Sequence, residues 1–159
     1  MNAENRLKEL GLILPEPMQL PPGVTLPFRF VKVIGRRVLI SGHLPTDQTG
    51  ALWPVLGKVG SEVSIEQAYS AARQVGLCIL GSLKRELGDL NRITHWVKAF
   101  GMVNVASDFH QTAPVINGFS DLILEVFGED VGSHTRSAVG FSTLPFMVPV
   151  EIEAEVEID

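Results

Sequence analysis

The sequence predicts an α+β fold, a sheet covered on one side by two helices, and three observations carry that prediction. Two long segments repeat apolar residues at three- and four-residue spacing, the last ten residues alternate apolar with acidic, and short β-rich stretches lie around the helical segments. At 159 residues, with 45% hydrophobic and 19% charged residues, the chain has the length and composition of one packed domain.

The first segment, AENRLKEL at 3–10, reads as a short helix stopped by Gly11. The prolines at 15, 17, 21 and 22 then forbid regular helix and favour extended chain. Residues 1–25 are read as an arm leading into a domain at 26–159. Phe28–Val33 and Val38–Ser41 form a hairpin around a Gly35-Arg36 turn, and 45–60 reads as loop with at most one short strand.

Ser64 followed by Gln67 is a capping box, and Gly88 closes the helix it opens. Ala68, Ala72, Val75, Ile79, Leu83 and Leu87 make its buried face. Ile93–Asn104 reads as a strand. A second helix runs from about Gln111 to Phe127, with Pro114 in its first turn and Gly128 as its stop. Thr135–Phe141 is a strand, and so is Val150–Asp159. On the latter, Val150, Ile152, Ala154, Val156 and Ile158 share one face, while Glu151, Glu153, Glu155 and Glu157 share the other.

Charge excludes some functions. Thirteen Lys plus Arg against eighteen Asp plus Glu leave a net −5, which offers no electrostatic footprint for nucleic acid or an anionic membrane. No apolar run is long enough to span a bilayer, and the amino terminus has no apolar signal core, so the expected compartment is the cytoplasm. One cysteine, Cys78, excludes an internal disulfide framework and a cysteine-based zinc site.

Chemical candidates are few. No phosphate-binding loop, dinucleotide fingerprint or nucleophile elbow is present. His43, His95, His110 and His134 lack metal-ligand spacing and read as packed or surface residues. Ser41-Gly42-His43 brings a hydroxyl near an imidazole, but no acidic residue is placed to orient that ring. The acidic strand is more informative. Its glutamates lie about 6.5–7 Å apart along one face, so most need water or a cation. Arg136 lies fifteen residues before Glu151. If their strands pair as neighbours, a guanidinium that grips carboxylates and a carboxylate that moves protons line one pocket.

Three blocks resemble the signature of the Rid family, also called YjgF-like and historically L-PSP endoribonuclease. They are Thr135-Arg136-Ser137-Ala138-Val139 with Leu144-Pro145 and Val150-Glu151-Ile152-Glu153-Ala154, then Ile40-Ser41-Gly42-His43-Leu44-Pro45, then Asp108-Phe109 with Asn117. Together they cover about residues 26–158. The resemblance implies a chorismate-mutase-like α+β fold, a mixed sheet with two helices on one face. It implies homotrimers with clefts between subunits, and hydrolysis of 2-imino or enamine acids to 2-keto acids and ammonia without cofactor or metal. Arg136 would grip the substrate carboxylate and Glu151 would orient the attacking water. Ser41, Asn117 and the backbone at Ala138 would line the cleft.

The chain departs from that pattern at Phe28, where active members usually carry Tyr, and at Ala138, where they often carry Cys. Its arm and a three-residue extension before Asn117 resemble a longer branch, YjgF-like group 1. Two other functions remain open beside the deaminase: a non-enzymatic trimer that binds small carboxylic or keto acids, and the ribonuclease of the historical name. The last is ranked lowest, because the core motifs hold only one adjacent basic pair, Arg36-Arg37, on an acidic chain.

Overall fold

Gly35 takes a positive φ of 62° at the first position of a two-residue turn, where a type II′ hairpin calls for glycine. That turn joins β1 (Val31–Ile34) to β2 (Arg37–His43), in a computed structural model that describes residues 2–159. α2 (Ile65–Leu87) follows an irregular 45–60 segment that carries isolated bridges but no full strand. β3 (Ile93–Asn104), α3 (Thr112–Gly132), β4 (Thr135–Phe141) and β5 (Val150–Ile158) complete the domain, and α1 (Ala3–Glu9) precedes it.

The sheet order is β1-β2-β5-β3-β4. β3 and β4 are parallel, joined by the α3 crossover, and every other pair is antiparallel. The result is a mixed sheet with α2 and α3 on one face, an α+β architecture as the element order predicts. The neighbour expectation for Arg136 and Glu151 is corrected. β5 pairs with β2 and β3, so β3 lies between the strands that carry the two residues.

The capping box forms: Ser64 Oγ accepts from Gln67 N and Gln67 Oε1 accepts from Ser64 N, at 3.1 and 3.0 Å. The small residues Ala68, Ala71 and Ala72 are fully buried, and they let α3 approach closely. A Cβ on Gly118 would lie 2.1 Å from the Tyr69 carbonyl oxygen, so the two helix backbones nearly touch there. Behind them Trp96 meets Phe119 and Phe127 edge-on at centroid distances of 5.7 and 5.6 Å. A Trp or Phe at such a position is worth ~3–5 kcal/mol against alanine.

α3 departs from its sequence reading at the end. Gly128 leaves helical geometry at φ 72°, ψ 174°, as a stop should, yet a further turn continues to Gly132. β1 also starts later than the β-rich texture suggests, so Phe28 and Phe30 precede it. On β5 the expected division holds: Val150, Ile152, Val156 and Ile158 are buried among helix residues and the glutamates point away. Arg37 Nε donates to Glu155 Oε1 at 2.7 Å, and Lys98 stands opposite Glu155 in register. Arg92 pairs with Asp159 rather than with a glutamate of that face.

Residues 2–25 run along the helix-covered side. Leu7 is buried against the core, and Lys84 Nζ binds Glu4 Oε1 at 2.7 Å. The chain at Pro17 crosses so close to Gly50 that a Cβ there would sit 2.1 Å from the Pro17 oxygen.

Candidate functional site

Gly101 of β3 has no side chain, and the space it leaves is filled by Ile116, whose carbons would lie 2.6–2.7 Å from any Cβ. That lets the start of α3 settle on the sheet and sets Asn117 above the β4 edge. Arg136 stands opposite Ala99 in the β3–β4 register, on the helix-covered face. Its Nη1 donates to Asn117 Oδ1 at 2.9 Å and to Ser120 Oγ at 3.0 Å. Burial pulls its pKa down while Asp121 opposes the shift, and a guanidinium stays charged throughout. Two residues on, the Ala138 carbonyl accepts from Thr112 Oγ1 at 2.9 Å, tying β4 to the first turn of α3.

Glu151 belongs to the opposite, open face. It alternates with fully buried Val150 and Ile152, and its carboxylate lies on the Gly42 backbone, where a Cβ would be 2.2 Å from Oε1. A side chain at 42 would displace the carboxylate from this position. Among the described residues, Glu151 has neither a hydrogen-bond partner nor a cation partner. Burial, and secondly Glu153, push its pKa above the ordinary carboxylate range. A half-buried carboxylate held this way is more basic than a solvated one, which suits it to proton transfer. Ser41, on the neighbouring strand β2, lines a groove with Leu39, Phe100 and Glu153 and donates its hydroxyl proton to the Arg29 carbonyl at 2.7 Å.

The sequence-derived residues therefore fall into two groups. Arg136, Asn117 and Ala138 lie at the β4–α3 edge, while Ser41 and Glu151 lie on the adjacent strands β2 and β5. Phe28 stands apart from both, edge-on to Phe30 at 5.7 Å, at a cleft of about 390 Å³ between the arm and α2. The Ser41–His43 pair forms no dyad. His43 Nδ1 lies 2.7 Å from the Ser41 carbonyl and Nε2 lies 2.9 Å from Ser82 Oγ, and burial lowers its pKa to about 4.

Sequence reasoning passed over Ser120 and treated His134 as an ordinary packed residue. The three-residue step from Asn117 to Ser120 along one helix face was the available signal. Among the described residues, no group of three or more His, Cys, Asp or Glu side chains is placed to hold a metal ion. No helix among them is long and apolar enough to cross a membrane.

A five-stranded mixed sheet in the order β1-β2-β5-β3-β4, backed on one face by two helices, defines a class of protein. The chain belongs to the family described as "YjgF/chorismate_mutase-like, putative endoribonuclease", whose profile matches residues 4–152. Among its relatives, Protein TCP17 of Trypanosoma cruzi is 36% identical over 155 residues, 96% of this chain and 92% of that protein. The crystal structure of Atu1372, a protein of unknown function from Agrobacterium tumefaciens, superposes with TM-score 0.86 at 39% identity, covering 99% of this chain and 92% of that one. The fold extends to Escherichia coli TdcF, crystallised with bound serine, at TM-score 0.57 and 21% identity over 91% of this chain and 98% of that one.

Proposed function

We propose that this chain hydrolyses reactive 2-imino or enamine acids to 2-keto acids and ammonia, in a cleft formed where two copies meet. The observation that carries this reading is the separation of the two charged groups. Among the described residues, Arg136 keeps a guanidinium edge without a partner on one sheet face, and Glu151 keeps an unpartnered carboxylate of raised basicity on the other. Each is half of a site that a second copy completes. Leu39, Val139 and Phe141 are 37–39% exposed on the open face, apolar surface that the partners in a homotrimer would cover.

In this site Arg136 binds the 2-carboxylate and sets the C=N carbon beside a water held by Glu151. The water oxygen bonds to that carbon as Glu151 takes its proton and the C=N π pair moves to nitrogen, giving a carbinolamine. Glu151 then returns the proton to nitrogen. The C–N bond then breaks as the hydroxyl passes its proton through Glu151 to that nitrogen, so that ammonia leaves and the oxygen is left as the keto group. An enamine enters after protonation at its β carbon. An imine is already electrophilic, so orientation and one proton carrier suffice.

The test is to supply freshly generated 2-aminoacrylate or a longer imino acid and follow keto acid formation. Acceleration by the wild type that is lost in Arg136→Ala is expected. No acceleration, or equal rates in both, overturns the proposal.

A second reading has a specific observation behind it. Phe28 offers no hydroxyl, which favours a trimer that binds small carboxylic or keto acids without turning them over. Calorimetric binding without keto acid production distinguishes the two. The ribonuclease reading gains no support from Arg36-Arg37: Arg36 Nε donates to the Ile158 carbonyl and Arg37 Nε to Glu155. Each of these exposed arginines is tied at Nε to β5, and Arg37 is already paired with a carboxylate, so the pair is no dedicated phosphate clamp.

A further inference from the structure

The cluster behind Arg136 contains a chain of hydrogen bonds whose direction can be read from donors and acceptors alone. His134 Nδ1 lies 2.8 Å from the Gly132 carbonyl oxygen, which only accepts, so Nδ1 carries the proton. In the neutral ring Nε2 is then an acceptor. It lies 3.0 Å from Ser120 Oγ, so the serine donates to it. With its single proton so placed, Ser120 Oγ presents lone pairs to Arg136 Nη1 at 3.0 Å. The other Nη1 proton goes to Asn117 Oδ1. Phe119 holds the imidazole edge-on at 5.8 Å, which keeps the ring from turning. Burial and the facing guanidinium both lower the His134 pKa, in keeping with a neutral ring.

We propose that Ser120 and His134 are positioning residues for Arg136. They fix the guanidinium through Nη1 so that Nε–H and Nη2–H form the edge offered to a ligand. Both Nη1 protons are engaged within the protein, and among the described residues neither Nε nor Nη2 has a partner. A guanidinium held at one nitrogen with its side edge free matches a planar two-oxygen anion, the carboxylate of a 2-imino or 2-keto acid, through two parallel hydrogen bonds. The inference rests on the proposed role of Arg136 and adds what orients it. Without the serine, the guanidinium keeps its charge but loses a fixed plane, so a ligand must order it on binding.

The experiment uses the full chain and two readouts. Nitrogen-15 NMR of His134 in the ligand-free protein reports the tautomer, and Nδ1–H is expected. An Nε2–H tautomer overturns the relay, because the serine would then be the acceptor. Calorimetric titration with 2-oxobutanoate gives the second readout. Loss of one hydrogen bond to a charged group predicts about tenfold weaker binding in Ser120→Ala, and His134→Phe should be weakened in the same direction. Ser120→Thr, which retains the hydroxyl, should restore near wild-type affinity, a rescue that a merely structural role does not predict. Wild-type affinity in Ser120→Ala, with binding lost in Arg136→Ala, overturns the proposal. If wild type and Arg136→Ala alike fail to bind, the carboxylate reading is what fails. The relay is then decided by the His134 tautomer alone.

Discussion

Arg136 and Glu151 lie on opposite faces of one sheet, with β3 between their strands. Arg136 stands opposite Ala99, whose other neighbour is Ala154, and Glu151 stands opposite Met102. Two strand spacings and three residues of register put their backbones ~14 Å apart before the opposed directions of the side chains are counted. One chain cannot bring this pair to a single small substrate.

Complementation follows from that separation. Arg136→Ala and Glu151→Gln chains are each expected to be inactive alone as imine hydrolases. Mixed after mild dissociation, they should recover activity, since some interfaces join an intact arginine half to an intact glutamate half. Random assortment restores about one quarter of the sites. Keto acid formation on mixing measures it, and absence of recovery in verified mixed oligomers counts against a shared site.

Glu151→Gln should separate stability from activity. The carboxyl has a raised pKa in the folded protein, so folding favours its protonated form and the charged form opposes folding at neutral pH. The sign is therefore the reverse of an ion-paired carboxylate: this group's contribution improves as pH falls. Denaturant unfolding at pH 7 should show Glu151→Gln at least as stable as wild type, with hydrolysis lost.

Gly118→Ala tests the helix contact that places Asn117 and Ser120. By propensity alone, glycine to alanine inside a helix gains ~1 kcal/mol. Here the added Cβ would meet the Tyr69 carbonyl at 2.1 Å and the Arg73 backbone nitrogen at 3.1 Å, so a backbone must move. A net loss of ~2–3 kcal/mol in unfolding free energy is expected, with weaker 2-oxobutanoate binding because α3 carries the partners of Arg136.

His43 predicts acid sensitivity. Burial lowers its pKa from 6.5 to about 4 in the folded protein, so the unfolded chain binds the proton first as pH falls. Its contribution is fully present above the unfolded pKa and is lost between pH 6.5 and 4, about 3 kcal/mol in all. Between pH 6.5 and 5, before most carboxylates titrate, His43→Asn should flatten the fall of stability by about 2 kcal/mol relative to wild type. Equal slopes in the two proteins would contradict this.

Local patterns determined much of the architecture. The capping box at Ser64, the stops at Gly88 and Gly128, the Gly35 turn and the alternation on β5 all act within a few residues, so the sequence displays them directly. Arg136 and Glu151 also stood out, through residue type and spacing, while Ser41 and Asn117 were marked as site residues only by the family resemblance. Tertiary structure alone decided what stands beside what. Strand order is a long-range choice, and inserting β3 between β4 and β5 parted Arg136 from Glu151, which a direct pairing of their strands would have brought to one pocket. Packing likewise decided that His134, fourteen residues from Ser120, closes a relay behind Arg136, and that His43 is buried and neutral. No short-range pattern encodes such contacts, because they depend on which surfaces the whole chain brings together when it buries its core.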